Sequence, residues 1–205
     1  MKRCVIVGSA AINNYIKVKR YLRNDDYFVY CDGGLKHIDE LGYKPDLIVG
    51  DFDSHENPNL DVETIVLPCV KDDTDTCHAV KVCIERGYTD FLFVGCIGER
   101  LDHTLGNVAL LIMLKEKGLK GIMIDDYSEM SIVSGEESIE DSFSYFSLLT
   151  LSDSADGIDI KNTKYPLENG SIKSGFQYGV SNEVNKGQTA TVSCKCGNLL
   201  LIKVF

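Results

Sequence analysis

Aspartates collect at the ends of apolar runs in this chain. In DLIVGDFDS, the apolar residues 47–49 are followed by Asp51 and Asp53 at alternate positions. YFVYCDGG ends in Asp32, Gly33 and Gly34, TIVLPC leads into KDDTDT (Lys71, Asp72, Asp73, Asp75), and DFLFVGCIGERLDH carries Arg100 and Asp102. Like charges at the tips of buried strands repel one another unless a cation sits among them. Carboxylate oxygens are hard ligands that suit magnesium, which binds through a few carboxylates together with substrate phosphates. Asp51 and Asp53 therefore read as a magnesium seat, sharing one strand face if the chain stays extended.

Each acid also has a plainer reading. A strand-end Asp is often a turn former, Thr74 or Asp75 can cap a following helix, and Gly33-Gly34 can be a simple turn. Arg100 can pair with a neighbouring carboxylate for structural reasons alone. Four acid-bearing strand ends together are harder to dismiss than any one of them. Other acidic or phosphate motifs fail on the residues. Asp51, Asp53 and His55 fit the odd positions of an EF-hand loop, but Glu56 stands where Gly is needed and Val62 where Glu is needed. Neither a P-loop nor a protein-kinase glycine loop with its partner motif occurs, so any nucleotide is held another way.

The elements that must position these acids follow from the patterning. CVIVGSA, YFVYCDGG, DLIVGDFDS, TIVLPC and DFLFVGCIG are short apolar runs bounded by Gly, Pro or Asp, as buried strands are. TDTCHAVKVCIERG puts Ala79, Val80, Cys83 and Ile84 on one helical face and stops at Gly87. RLDHTLGNVALLIMLKEKG places Leu101, Leu105, Val108, Ala109 and Ile112 on one stripe and closes at Gly118. Apolar strands alternating with amphipathic helices predict an α/β domain, a mainly parallel sheet flanked by helices, over residues 1–129. In such sheets ligands bind beyond the carboxyl ends of the strands, where the acids lie. From about residue 130 the rhythm changes to YFSLLTLSD, GIDIKNTKYPL, TATVSCKCG and NLLLIKVF, with no convincing helix. An antiparallel β-sandwich domain is expected over residues 130–205.

Composition narrows the partners. Over 205 residues the net charge is -10, which leaves no excess of Lys and Arg to neutralise nucleic-acid phosphates. No apolar run approaches the roughly 20 residues that span a bilayer, so no membrane partner is expected. The opening MKRCVIVGSA reads as a first strand in preference to a signal peptide. Of the eight cysteines, Cys4, Cys31, Cys69, Cys83 and Cys96 are scattered through apolar segments, and no C-x-x-C pair occurs, as expected of reduced core thiols in a cytoplasmic protein.

In order and spacing, CDGG, KPDLIVGDFDS, KDDTDT and GCIGERLDHTLGN resemble the thiamin pyrophosphokinase family over most of residues 30–110. GVSNEV, with Ser181 and Asn182, resembles that family's thiamin-contacting segment. The resemblance implies a homodimer with an α/β ATP domain, a β-sandwich domain and thiamin bound between subunits. The implied reaction transfers pyrophosphate from ATP to the thiamin hydroxyl and releases AMP, with Mg2+ as cofactor. On the same basis Asp51, Asp53 and Asp75 hold magnesium, and Arg100 contacts phosphate oxygens with its planar fork. Asp32 and Asp102 contact the nucleotide or the reacting groups, and Gly33, Lys71 and Asp73 join the nucleotide-binding set. Ser181 and Asn182 contact thiamin. Which carboxylate acts as base, if any, stays open. The chain has no Trp, so an aromatic wall for thiamin falls to Tyr165, Phe176 or Tyr178, each equally suited to core packing. The rival readings are a magnesium phosphohydrolase built on a D-x-D strand and a nucleotide- or thiamin-binding sensor without turnover. Two strands precede GDFDS, which disfavours the hydrolase, and the intact acid set disfavours the sensor.

Overall fold

Every apolar run of the first half becomes a parallel strand in the computed structural model of the chain, which describes residues 2–52, 60–68, 70, 72–98 and 100–205. These strands are β1 (Arg3–Val7), β2 (Tyr27–Cys31), β3 (Leu47–Gly50), β4 (Glu63–Val66), β5 (Asp90–Val94) and β6 (Lys120–Ile124). They pair in the order β6-β5-β1-β2-β3-β4, all parallel, with Ile6 opposite both Val29 and Phe93. The intervening helices are α1 (Tyr15–Lys19), a 3-10 helix (Asp32–His37), α2 (Ile38–Leu41), α3 (Asp75–Glu85) and α4 (Leu101–Glu116). The chain divides into two units, Met1–Asp126 and Tyr127–Phe205, so residues 127–129 belong with the second.

The sheet of the first unit is covered on both faces, which is why its central strands are apolar at successive positions. Val5, Val7, Phe28, Tyr30 and Leu92 pack with Val18, Leu22 and Leu41 on the side of α1 and α2. Cys4 alternates with Val5 and so faces the other way, where its Sγ lies 3.3 Å from Cys83 Sγ of α3. The side chains Ala79, Val80 and Cys83 of α3 are buried, as its periodicity predicts, and a left-handed Gly87 (φ 84) follows the helix. The stripe predicted for α4 is displaced. Asn107, Val108, Leu110, Leu111 and Leu114 are buried, whereas Leu101 and Leu105 are 65% and 61% exposed. LGNVALLIML is apolar almost all round, so its periodicity picks no face and packing against β6 decides. At the opposite end of the strands from the acids, Arg3 grips the buried Asp26 with two hydrogen bonds of 2.6 and 2.7 Å.

The second unit is all β, as expected. It comprises β7 (Ser128–Ile132), β8 (Glu136–Glu140), β9 (Tyr145–Thr150), β10 (Ser154–Lys161), β11 (Leu167–Lys173), β12 (Gly179–Asn182), β13 (Thr189–Ser193) and β14 (Leu199–Val204). Antiparallel pairing gives one layer, β12-β9-β14-β7, and a second, β11-β10-β13-β8. Phe146, Leu148, Leu199 and Leu201 of the first layer share a core with Ile139, Ile158, Ile172 and Val192 of the second, which makes the unit a sandwich.

All described cysteines are free thiols, and Cys4, Cys31, Cys83 and Cys96 are buried. Burial pushes the Cys96 thiol up to about 12, so it stays protonated and inert. Among the described residues, no helix is long and apolar enough to cross a membrane.

Candidate active site

The chain runs from β1 outward to β2, β3 and β4, then returns to place β5 on the other side of β1. Strand order therefore reverses between β1 and β5, the position where parallel α/β sheets open a crevice at their carboxyl ends. A cleft lies there. Its walls are residues 8–11 after β1 and Gly95, Cys96, Gly98 and Arg100 after β5. Lys36 of the 3-10 helix, Thr76 of α3, and His103, Thr104 and Asn107 of α4 complete it. The two strand ends touch. Gly8 N donates to Val94 O at 2.8 Å, Ala10 N donates to Gly95 O at 2.8 Å, and a Cβ on left-handed Gly95 would stand 2.6 Å from Gly8 O. Side chains then hold each wall from behind. Asn107 Nδ2 donates to Cys96 O at 2.9 Å, and Thr104 Oγ1 accepts from Gly98 N at 3.1 Å. On the other wall, Asp126 accepts from Asn13 N, Asn13 Nδ2 and Asn14 N at 2.7–2.9 Å. Burial pushes the Asp126 carboxyl up, but those donors, with Lys17 nearby, outweigh it and hold it below the usual carboxylate range.

Beside the cleft stands an acid cluster. Asp32 opens the 3-10 helix after β2, Asp51 follows β3, and Asp75 begins α3 behind a Thr74 cap whose side chain accepts from Cys77 N. One carboxylate oxygen from each of the three lies within 4.8 Å of the others, and all three residues are half-buried. The backbone is strained at and beside two of them. Asp32 has φ 31 and Phe52 has φ 55, both left-handed and costly for residues other than glycine. A Cβ on Gly50 would lie 3.0 Å from Cβ of Asp32, so only glycine lets the end of β3 come this close. Three hard oxygen donors at this spacing, mutually repulsive and partly shielded from water, fit a divalent cation such as magnesium.

Asp53 and Lys71 lie outside the described residues. Asp32, expected to contact the nucleotide or the reacting groups, stands with Asp51 and Asp75. Gly33 is buried within the 3-10 helix. Asp73 accepts from Lys81 Nζ at 2.6 Å, which holds its carboxyl below the usual range. At the cleft rim Arg100 and Asp102 form an exposed two-pronged pair, Nε to Oδ1 at 3.0 Å and Nη2 to Oδ2 at 2.7 Å. Sequence reasoning missed Lys36, Thr76, His103 and the loop after β1. The only signal for that loop was the small-residue run GSAA after the first strand.

In the second unit Ser181 is exposed with φ 59, and its N–H donates to Ser147 Oγ at 3.1 Å. Asn182 is buried, and its amide is already spent. Oδ1 accepts from Tyr165 N and Glu183 N at 3.1 and 2.9 Å, and Nδ2 donates to Tyr165 O at 2.8 Å. Its neighbours Tyr165, Phe176 and Tyr178 are all exposed, with Phe176 and Tyr178 rings 5.5 Å apart.

Comparison with known proteins gives one consistent answer. Residues 18–123 match the family model described as thiamin pyrophosphokinase, catalytic domain, and residues 134–199 match thiamin pyrophosphokinase, vitamin B1 binding domain. A thiamine pyrophosphokinase of Bacillus subtilis is 28% identical over 212 residues, covering 99% of each chain. A crystal structure of thiamine pyrophosphokinase from Bacillus subtilis superposes with a TM-score of 0.86 at 26% identity, covering 99% of both chains. One from Geobacillus thermodenitrificans gives 0.83 at 27%, covering 99% of this chain and 97% of that one.

Proposed function

Since the chain belongs to the thiamin pyrophosphokinase family, we propose that its first unit binds ATP in the cleft between β1 and β5 and that its acid cluster is the magnesium seat. The observation that carries this reading is the adjacency of the two: Asp75 ends the cluster and the next residue, Thr76, lines the cleft. Bound there, magnesium would supply charge neutralisation for the triphosphate, with Asp32, Asp51 and Asp75 as its protein ligands. Asp53, expected from the sequence, joins that set in the proposal.

Pyrophosphoryl transfer asks for positioning and charge neutralisation more than covalent help from the protein. The thiamin hydroxyl oxygen bonds to the β-phosphorus of ATP and gives up its proton, which ends in solvent, while the bond from that phosphorus to the α–β bridging oxygen breaks and AMP leaves. Lys36 and Arg100, both lining the cleft, face the phosphates. Arg100 exchanges its exposed Asp102 partner for phosphate oxygens, which costs little because an exposed pair of this kind is worth about 0–1 kcal/mol. Lys71, Gly33 and Asp73 stay in the nucleotide-binding set on resemblance alone. Gly8, Ser9, Ala10, Ala11, Gly95 and Gly98 line the cleft with small side chains, which let a nucleotide approach closely.

Thiamin is assigned to the second unit, with Ser181 as a polar contact. Asn182 acts by holding the Tyr165 backbone, where Tyr165 is exposed and able to face a ring. A homodimer fits the exposed Phe176, Tyr178 and Val180 on and beside β12, which lies at the edge of its layer. A cytoplasmic setting accords with the buried free thiols. The test is product identity. Protein with ATP, magnesium and thiamin should yield AMP and thiamin diphosphate in equal amounts; release of inorganic phosphate with thiamin unchanged would reject the reading.

A further inference from the structure

The 3-10 helix carries an acid of the cluster at one end, Asp32, and at the other a histidine that faces away from it. His37 is 2% exposed, and both of its ring nitrogens are bonded. Nε2 lies 2.9 Å from Ala10 O, an acceptor only, so Nε2 carries the proton. Nδ1 therefore accepts, and its partner is the Tyr15 hydroxyl at 2.7 Å. Ala10 lies in the loop between β1 and α1, three residues beyond Val7, and Tyr15 follows that loop as the first residue of α1. One ring thus ties the stretch of the loop that forms a wall of the cleft to the start of the helix that follows it. The adjacent Lys36 Nζ donates to Ser9 O, the carbonyl next to Ala10. Burial lowers the His37 pKa, so the ring stays neutral and the tautomer is fixed.

We propose that His37 is a positioning residue for the nucleotide: it sets the loop after β1 as a rigid wall of the cleft and ties that wall to the helix that presents Asp32. The proposal rests on reading the cleft as the ATP site. A wall touches the bound nucleotide alike before and during reaction, so its loss raises KM and leaves kcat almost unchanged.

Four variants test this, each with a melting curve as a control for folding. His37→Phe keeps a ring and removes both hydrogen bonds, leaving the Ala10 carbonyl and the Tyr15 hydroxyl without this partner. The KM for ATP should rise about tenfold or more, with kcat and the KM for thiamin within about threefold of wild type. His37→Gln, whose amide can still donate to Ala10 O, should recover most of the affinity for ATP. Tyr15→Phe removes only the hydroxyl and should raise the KM for ATP about threefold. A folded His37→Phe with unchanged KM for ATP overturns the proposal, as do equal losses for both substrates or a Gln variant no better than Phe. If His37→Phe does not fold, Tyr15→Phe decides, and an unchanged KM for ATP overturns it. Ser9→Trp fills the cleft and separates the two levels. Intact ATP affinity in that variant rejects the cleft as the ATP site, whereas lost affinity there with unaffected His37 variants rejects the positioning role alone.

Discussion

Replacing Gly50 with alanine probes the acid cluster without touching a charge. The new Cβ would stand 3.0 Å from Asp32 Cβ, 3.2 Å from its Cα and 3.3 Å from its N. Carbon atoms pack at about 3.5–4.0 Å, so Asp32 or the end of β3 must yield by roughly 0.5–1 Å. Asp32 has little freedom to do so, being already left-handed and followed by a buried helix. A shift of about 1 Å at reacting groups costs on the order of 10²-fold, so about tenfold or more is expected in kcat/KM. Stability has two opposing terms. The alanine restricts the unfolded chain, worth about 0.4–1 kcal/mol, and overpacking costs about 1–3 kcal/mol, for a net loss between about 0 and 2.6 kcal/mol. The assay is steady-state thiamin diphosphate formation across a magnesium titration, beside a thermal melt. A folded Gly50→Ala protein should need more magnesium and turn over more slowly. Wild-type kcat/KM with an unshifted magnesium requirement would refute the claim that Asp32 and the end of β3 are held together for metal binding.

Asp126→Ala leaves the Asn13 and Asn14 N–H groups without their acceptor and should destabilise the first unit by about 1–3 kcal/mol, read by denaturant unfolding. Because the folded carboxyl is held below its ordinary range, the folded state binds this proton less readily than the unfolded chain. The wild-type advantage over the variant should be complete above about pH 4, fade as pH falls through the carboxylate range, and vanish below the lowered folded pKa. Asn182→Ala removes three hydrogen bonds to backbone and should lower melting by an amount equivalent to about 1–3 kcal/mol. Its effect on thiamin KM should exceed that on ATP KM; equal effects would reject the assignment of this segment to thiamin.

The parallel sheet was legible because buried strands are apolar at every position and their ends are marked by Gly or Asp. The acid cluster was legible as a set of strand ends, and less so in its membership. Asp32 joins Asp51 and Asp75 from a left-handed backbone that no residue pattern announces, since Asp32 is not glycine. The face of α4 was misread because apolar residues surround it. The helices α1 and α2 have five and four residues, too short to show periodicity. Strands β8 and β11, EESIE and LENGSIK, bury few positions and carry no strand pattern. His37 and Asn182 depend on partners 27 and 17 residues away, which local sequence cannot supply. Asn182, expected from the sequence to contact thiamin, directs its amide to the backbone of Tyr165 and Glu183.

The most direct test of the metal seat uses manganese as a spectroscopic stand-in for magnesium. Free Mn2+ is followed by electron paramagnetic resonance while wild type, Asp32→Asn, Asp51→Asn and Asp75→Asn are titrated in the presence of a non-reacting ATP analogue. Each variant loses one charge and no bulk, so all should remain folded. The account predicts that each binds the metal–nucleotide pair about tenfold or more weaker and turns over about 10²-fold slower. Wild-type manganese binding and turnover in all three variants would contradict it.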